Sequence, residues 1–289
     1  MNHTKIEWVR NPDGSQGYTW NPITGCLNHI NGLCKGGGFP CYAYKLANGR
    51  LKQRYLANIM GTGYLPETHK LSPDPFYPRF WPERIPTRYW IPTQGAGLGL
   101  NVKGKGIFVC DMGELFGDWI PKQWQEDVFR VIRGNPDCRF YLLTKQPQNL
   151  IKWSPFPENC WVGVTATSAE MAYQAHWYLQ NKVEAKVKYL SLEPLLEPIL
   201  FDDLDSISWL IIGAWTGSIE DKYKLRDRYP ELNAIPYQNK VTLQPKIEWV
   251  KEMVEAADRA GIPVFEKDNL KPLLGDNLRQ EMPDGSKEV

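Results

Sequence analysis

The chain has 289 residues, 42% of them hydrophobic and twelve of them tryptophan, which is ample apolar mass for a large buried core. Thirty-four basic residues stand against thirty-three acidic ones, so the net charge of +1 demands neither nucleic acid nor an anionic membrane as partner. No apolar run nears the roughly eighteen residues of a membrane span and Met1–Asn11 has no leader pattern, which predicts a soluble, cytoplasmic protein whose six cysteines are thiols or metal ligands rather than disulfides.

Gly17–Trp20 reads as a first short strand, followed by a glycine-rich loop with Cys26, Cys34 and Cys41. From Cys41 to about Met60, apolar Ala43, Leu46, Ala47, Tyr55 and Leu56 fall in rough helical spacing among Lys45, Arg50, Lys52 and Arg54. Residues from about 61 to 105 are then broken by seven prolines and by Gly95, Gly97 and Gly99, predicting an irregular insertion that lays Phe76, Tyr77, Phe80 and Trp81 over the core.

From Gly106 the pattern becomes regular. Strands are predicted at Gly106–Cys110, Arg139–Leu143, Cys160–Thr165, Val187–Leu192, Trp209–Gly213 and Pro263–Glu266. Helices are predicted after Ile120–Pro121, from Pro147, from Ser168 and from Pro245 to Gly261. One crossover lacks a clear helix, about thirty residues after Gly213 read as loop, and 276–289 read as a polar, frayed tail. Wholly apolar strands alternating with amphipathic helices predict an α/β fold. The expected form is a partial or complete TIM-like (β/α) barrel of six to eight units in a single domain, 1–275, with a doubly wound sheet as the alternative.

Polar residues gather just past the strand ends: Asp111–Glu114, Thr144–Lys145, Thr165–Thr167, Ser191–Pro194, Gly213–Gly217 and Glu266–Asp268. In a barrel these loops converge on one mouth. A long charged side chain behind an apolar run is costly there unless it is paired or holds a ligand.

The cysteine loop has the spacing C-x7-C-x6-C. Three thiolates can hold an iron–sulfur cluster with one iron left open. They can also hold zinc, with His29 as a fourth ligand, although no C-x-x-C pair is present. Free thiols are the third option, and on residue chemistry the three stay open. Gly36–Gly38 is expected to keep the second and third cysteines flexible and separate, and Cys110, Cys138 and Cys160 read as core thiols.

Trp20-Asn-Pro-x-Thr-Gly-Cys26, Cys34 and Cys41–Tyr42–Ala43 resemble the signature of the three-Cys-motif family, phage-associated and prokaryotic proteins of unknown function that are regarded as similar to radical S-adenosylmethionine (SAM) enzymes. The resemblance extends through Thr4–Trp8, Phe108–Phe116, Leu142–Lys145, Trp161–Val164, Leu190–Leu195 and Gly261–Phe265. It implies a radical-SAM-like barrel in which Cys26, Cys34 and Cys41 ligate a 4Fe–4S cluster whose open iron takes SAM. It further implies Tyr42 beside the adenine, Gly113–Glu114 for the SAM amino group, Ser191 and Glu193 for ribose hydroxyls, and Lys145 for the carboxylate. An electron donor such as flavodoxin or ferredoxin and a substrate not identified by the sequence complete the implied partners. The loop departs from the common C-x3-C-x2-C spacing by being longer in both intervals, with Lys35–Pro40 standing as an insertion before the last cysteine.

Two other readings bear on nucleic acid. One is a zinc- or cluster-stabilised binding protein without catalysis, using Lys45, Arg50, Lys52 and Arg54 with Tyr42, Tyr44 and Tyr55 as a basic–aromatic face. The other is a DNA-repair lyase resembling spore photoproduct lyase. G-x-S-x-G and H-E-x-x-H are absent and four scattered histidines offer no triad, so hydrolase chemistry finds no support.

Overall fold

The structure, a computed structural model, describes residues 1–58, 64–65, 70–85 and 104–283. Most of the insertion expected at about 61–105 lies outside the described residues. In chain order the principal strands are β1 (Asn2–His3), β2 (Tyr18–Trp20), β3 (Gly106–Val109), β4 (Arg139–Thr144), β5 (Cys160–Thr165), β6 (Val187–Leu192), β7 (Trp209–Ile212), β8 (Trp215–Gly217), β9 (Asn233–Tyr237), β10 (Lys240–Gln244) and β11 (Val264–Glu266). The principal helices are α1 (Tyr42–Asn48), α2 (Lys52–Leu56), α3 (Lys122–Arg133), α4 (Ala169–Asn181), α5 (Ile219–Arg226) and α6 (Ile247–Ala260).

Eight strands form one sheet in the order β1-β2-β3-β4-β5-β6-β7-β11. Only the β1–β2 pairing is antiparallel. The order never reverses, so the sheet has no topological switch point and is not doubly wound. β1 and β11 stand at opposite ends, and the closed form of the expected barrel is not formed by these pairings.

Strand periodicity sorts the core into two faces. On one face Ile107, Val109, Phe140, Leu142, Val162, Val164, Leu190, Leu192, Leu210 and Ile212 pack with the apolar stripes of α3, α4 and α6. On the other, Phe108, Tyr141, Trp161, Tyr189, Trp209 and Phe265 enclose Trp8 from the N-terminal segment, which is 2% exposed. Burial of this size is worth about 1.5–3 kcal/mol for each large side chain. Because all three helices share one face, the other is free to carry a site.

The structure differs locally from the sequence reading in two places. The stretch expected as a loop after Gly213 contains α5 and a three-stranded antiparallel sheet in the order β8-β10-β9. α5 is mostly charged and lacks an apolar stripe, so periodicity could not reveal it; its Ser218–Asp221 capping box holds it instead. The polar segment after Gly275 is paired at first: Glu266 N–H donates to Arg279 O (2.6 Å) and Glu281 N–H to Val264 O (3.0 Å), laying Arg279–Glu281 along β11. Residues 284–289 of the expected tail lie outside the described residues. Among the described residues no helix is long and apolar enough to cross a membrane.

Candidate metal and cofactor site

Asn21 begins the construction of the site. Its amide donates to Asp111 Oδ1 (2.5 Å) and its Oδ1 accepts from Met112 N–H (3.0 Å), so the loop after β2 is tied to the loop after β3. Gly25 and Gly113 then bridge in parallel: Gly25 N–H donates to Met112 O (2.9 Å) and Glu114 N–H to Gly25 O (3.1 Å). A Cβ at Gly113 would stand 2.9 Å from Gly25 O, so only glycine allows this approach. Cys26 N–H donates to Phe76 O (3.0 Å), which fixes the first cysteine against buried Phe76 and Trp81.

The rest of the cysteine loop is compact. His29–Ile30 and Leu33–Cys34 form a small hairpin, Cys34 N–H donates to Phe39 O (2.9 Å), and Cys41 N–H donates to Gly32 O (2.8 Å) before α1 starts. The three glycines are not a flexible spacer, contrary to the expectation. Gly37 has φ +111, its carbonyl accepts from the Tyr229 hydroxyl, and a Cβ there would lie 2.5 Å from Thr167 Oγ1. Thr167 in turn donates to Gly36 O (3.1 Å). The extra length in the loop is therefore spent docking on the ends of β5 and α5.

Cys26, Cys34 and Cys41 all line one cavity of about 710 Å³ at the C-terminal ends of the parallel strands. The same cavity brings together the other sequence-predicted residues: Tyr42, Gly113, Glu114, Lys145, Ser191 and Glu193. Glu114 is 6% exposed, and its Oε1 accepts from Thr144 Oγ1 (2.8 Å) and Phe116 N–H (3.0 Å). Burial pushes its carboxyl up, while these donors and Lys145 pull the other way. Burial likewise pushes the Cys26 and Cys41 thiols up, so both are neutral until something displaces the proton. Lys145 faces the Phe39 ring at 5.8 Å and has no ion pair among the described residues. The Tyr42 ring is exposed, and its hydroxyl donates to Asp111 O.

Sequence reasoning missed the partners of Glu193. Lys267 Nζ lies 2.5 Å from Glu193 Oε1 and 3.4 Å from Glu7 Oε2, with its side chain only 12% exposed. Burial alone would lower this ammonium, but the two carboxylates outweigh it and raise it. Lys267 stood among the strand-end residues and Glu7 within the Thr4–Trp8 block, yet nothing in the spacing joined them.

The alternatives fare differently. Among the described residues no three His, Cys, Asp or Glu side chains form a group that could hold one metal ion. His29, the fourth ligand of the zinc reading, accepts from Gly32 N–H at Nδ1 (3.3 Å) and packs on Tyr44 and Phe76. The basic–aromatic face does not assemble as drawn: Tyr55 is 3% exposed, Tyr44 packs on Phe76, and Lys45 pairs with Asp221.

Sheet order and cavity together define an α/β protein with a three-thiol site at the strand ends. The chain belongs to the family described as a protein of unknown function (DUF5131), whose model matches residues 3–226. Among solved structures it is similar to spore photoproduct lyase complexed with dinucleoside spore photoproduct, at 9% identity and a TM-score of 0.42, covering 84% of this chain and 74% of that one. It is also similar to a variant of that lyase with bound AdoMet and dinucleoside spore photoproduct, at 11% identity and a TM-score of 0.40, covering 94% of this chain and 77% of that one. No curated protein matches the chain.

Proposed function

We propose that this protein is a radical SAM iron–sulfur enzyme, with its sheet forming part of a barrel around the site. The observation that carries the reading is the cavity shared by Cys26, Cys34 and Cys41 with Glu114, Lys145, Ser191 and Glu193. Three cysteine thiols lining one cavity are a donor set that a 4Fe–4S cluster uses, with one iron left open.

Cys26, Cys34 and Cys41 would hold three irons, leaving the fourth for the amino and carboxylate groups of SAM. When bound, the cluster would supply one-electron reduction of SAM, fed by a donor such as flavodoxin or ferredoxin, and with it the radical chemistry for taking a hydrogen from substrate. The chain's own residues do the placing. Glu114, fixed by Thr144 and Phe116, presents a carboxylate to the ammonium of SAM. Lys145 offers its free charge to the carboxylate, Ser191 and Glu193 take ribose hydroxyls, and the backbone at Tyr42 meets the adenine. Trp8 and Phe108, which line the cavity and belong to the aromatic cluster behind it, give part of its wall a water-excluding surface.

Anaerobic reconstitution with iron and sulfide tests this. The expected result is about four irons per chain and a change in the reduced cluster's paramagnetic spectrum on adding SAM. Incorporation of one zinc with no stable iron under those conditions would favour the zinc-stabilised reading.

A further inference from the structure

The ionisable groups of this cavity are sorted by depth. Its acids, Glu7, Asp111, Glu114 and Glu193, are all buried or half-buried, whereas Lys5, Arg50 and Lys240 are exposed on its outer lining. No acid on that lining is exposed. Lys5, Arg50 and Lys240 have no ion pair among the described residues. Of the two half-buried cations on the lining, Lys267 is held between Glu193 and Glu7, whereas Lys145 has no ion pair among the described residues. Two carboxylates against one ammonium leave that end of the cavity negative, and it repels a phosphate or carboxylate.

The rim cations are also held in place. Lys240 ends the two-residue Gln238–Asn239 turn between β9 and β10, where Tyr237 pairs with Lys240, a connection that leaves the strand ends little freedom. Arg50 follows α1 directly. α1 is bolted to the same substructure, because Lys45 Nζ bonds the Asp221 carboxylate and reaches Ser218 Oγ at 3.1 Å. The segment carrying Lys240 and the helix preceding Arg50 therefore form one frame, so using both requires ordering their side chains but not their backbones.

We propose that Lys5, Arg50 and Lys240 form a phosphate-binding rim, and that the substrate is a phosphate-bearing molecule which enters with its neutral, hydrogen-bond-donating end toward Glu7. As a statement about substrate this rests on the reading of the cavity as an enzyme site; as a statement about anion binding it stands without it. An anionic group is attracted to the rim and turned away from the interior, so the charge order sets the direction of entry. The shared chemistry is the phosphate group, whether of a small phosphate ester or of a nucleic-acid strand.

The test is fluorescence anisotropy with a labelled twelve-nucleotide single strand, together with calorimetry using inorganic pyrophosphate, on the full chain. Wild type is compared with R50Q/K240Q, with K5Q and with K52Q, the last altering an exposed lysine of α2 that does not line the cavity. The expected result is about a tenfold loss of affinity in R50Q/K240Q, with a salt slope shallower by about 1.4 for the two lost contacts to a single strand. K5Q should lose severalfold, and K52Q should stay within about twofold. Pyrophosphate bound as well as the strand identifies a small phosphate ester; the strand bound alone identifies a polynucleotide. An equal loss in K52Q and R50Q/K240Q, or no binding of either probe by wild type, overturns the rim. In either case iron content and the SAM-dependent spectrum of wild type still report on the radical reading separately.

Discussion

Lys45 lies one helical turn beyond the third cysteine, and its ammonium bonds the Asp221 carboxylate, whose side chain is 5% exposed. Through this pair the helix that follows the cysteine loop is joined to α5 in the segment inserted after β7. Tyr229, bonded to Gly37 O, and Arg228, against Gly38, make a second junction between the same two parts. Burial acts to raise the Asp221 carboxyl, but Lys45 and Ser218 hold it below its usual range. Stability from a depressed acid is present above its unfolded value near 3.8 and is lost as pH falls through the folded value. Asp221→Asn is expected to cost about 1 kcal/mol, chiefly as a lost cap. It should also flatten the acid limb of a thermal-unfolding profile below about pH 4; an unchanged acid limb would count against the assignment.

Glu114 has the opposite sign. Its carboxyl is raised by burial, so the folded state favours the proton, and stability declines as pH rises from the unfolded value near 4.5 through the folded one. Lys145, Cys26 and Cys110 are ionisable groups facing it. Glu114→Gln should therefore leave thermal stability at pH 7 within about 1 kcal/mol of wild type. Calorimetry with S-adenosylhomocysteine should show about a tenfold loss of affinity, as one charge-assisted bond to the ligand's ammonium is removed. A large destabilisation with intact binding would show that Glu114 is structural.

Single replacement of Cys26, Cys34 or Cys41 by alanine should each abolish iron incorporation, read as iron per chain after anaerobic reconstitution. Cys138→Ala should retain it, because Cys138 is 3% exposed in the helix-side core, away from the cavity. Equal iron in all four variants would remove the cluster from this loop.

Gly37→Ala should destabilise the protein by about 1–3 kcal/mol, since alanine meets both a positive φ and the Thr167 hydroxyl. It should also lower iron content by displacing the segment between Cys34 and Cys41. Gly14→Ala is the control: it shares a positive φ, but nothing lies within 4 Å of its added methyl group. A Gly37→Ala protein with full iron would mean that the glycine turn does not position the thiols.

The parallel strands were readable because each is a short apolar run closed by turn residues and alternates with α3, α4 or α6, whereas the choice between barrel-like and doubly wound order lay in pairings that no local pattern carries. The cavity lining was readable in part for the same reason: Lys145 and Glu193 follow strands directly, Ser191 lies near the end of β6, and Glu114 stands in the loop after β3. What escaped were relations between distant segments. Nothing near Glu7 announces that it meets Lys267, and α5 is too polar to betray itself by periodicity. The glycines of the cysteine loop invited a reading of slack, because sequence shows permitted backbone angles but not the neighbours that occupy the space.

The pairing of Arg279–Glu281 along β11 has a consequence for producing the protein. β11 ends the main sheet, and an uncovered strand edge recruits other chains through its unpaired backbone groups. Here the cover is a short run that is synthesised after every strand of the sheet. A chain cut before Arg279 would keep its cavity residues but present a sticky edge, and it is expected to collect in inclusion bodies where the longer chain remains dispersed.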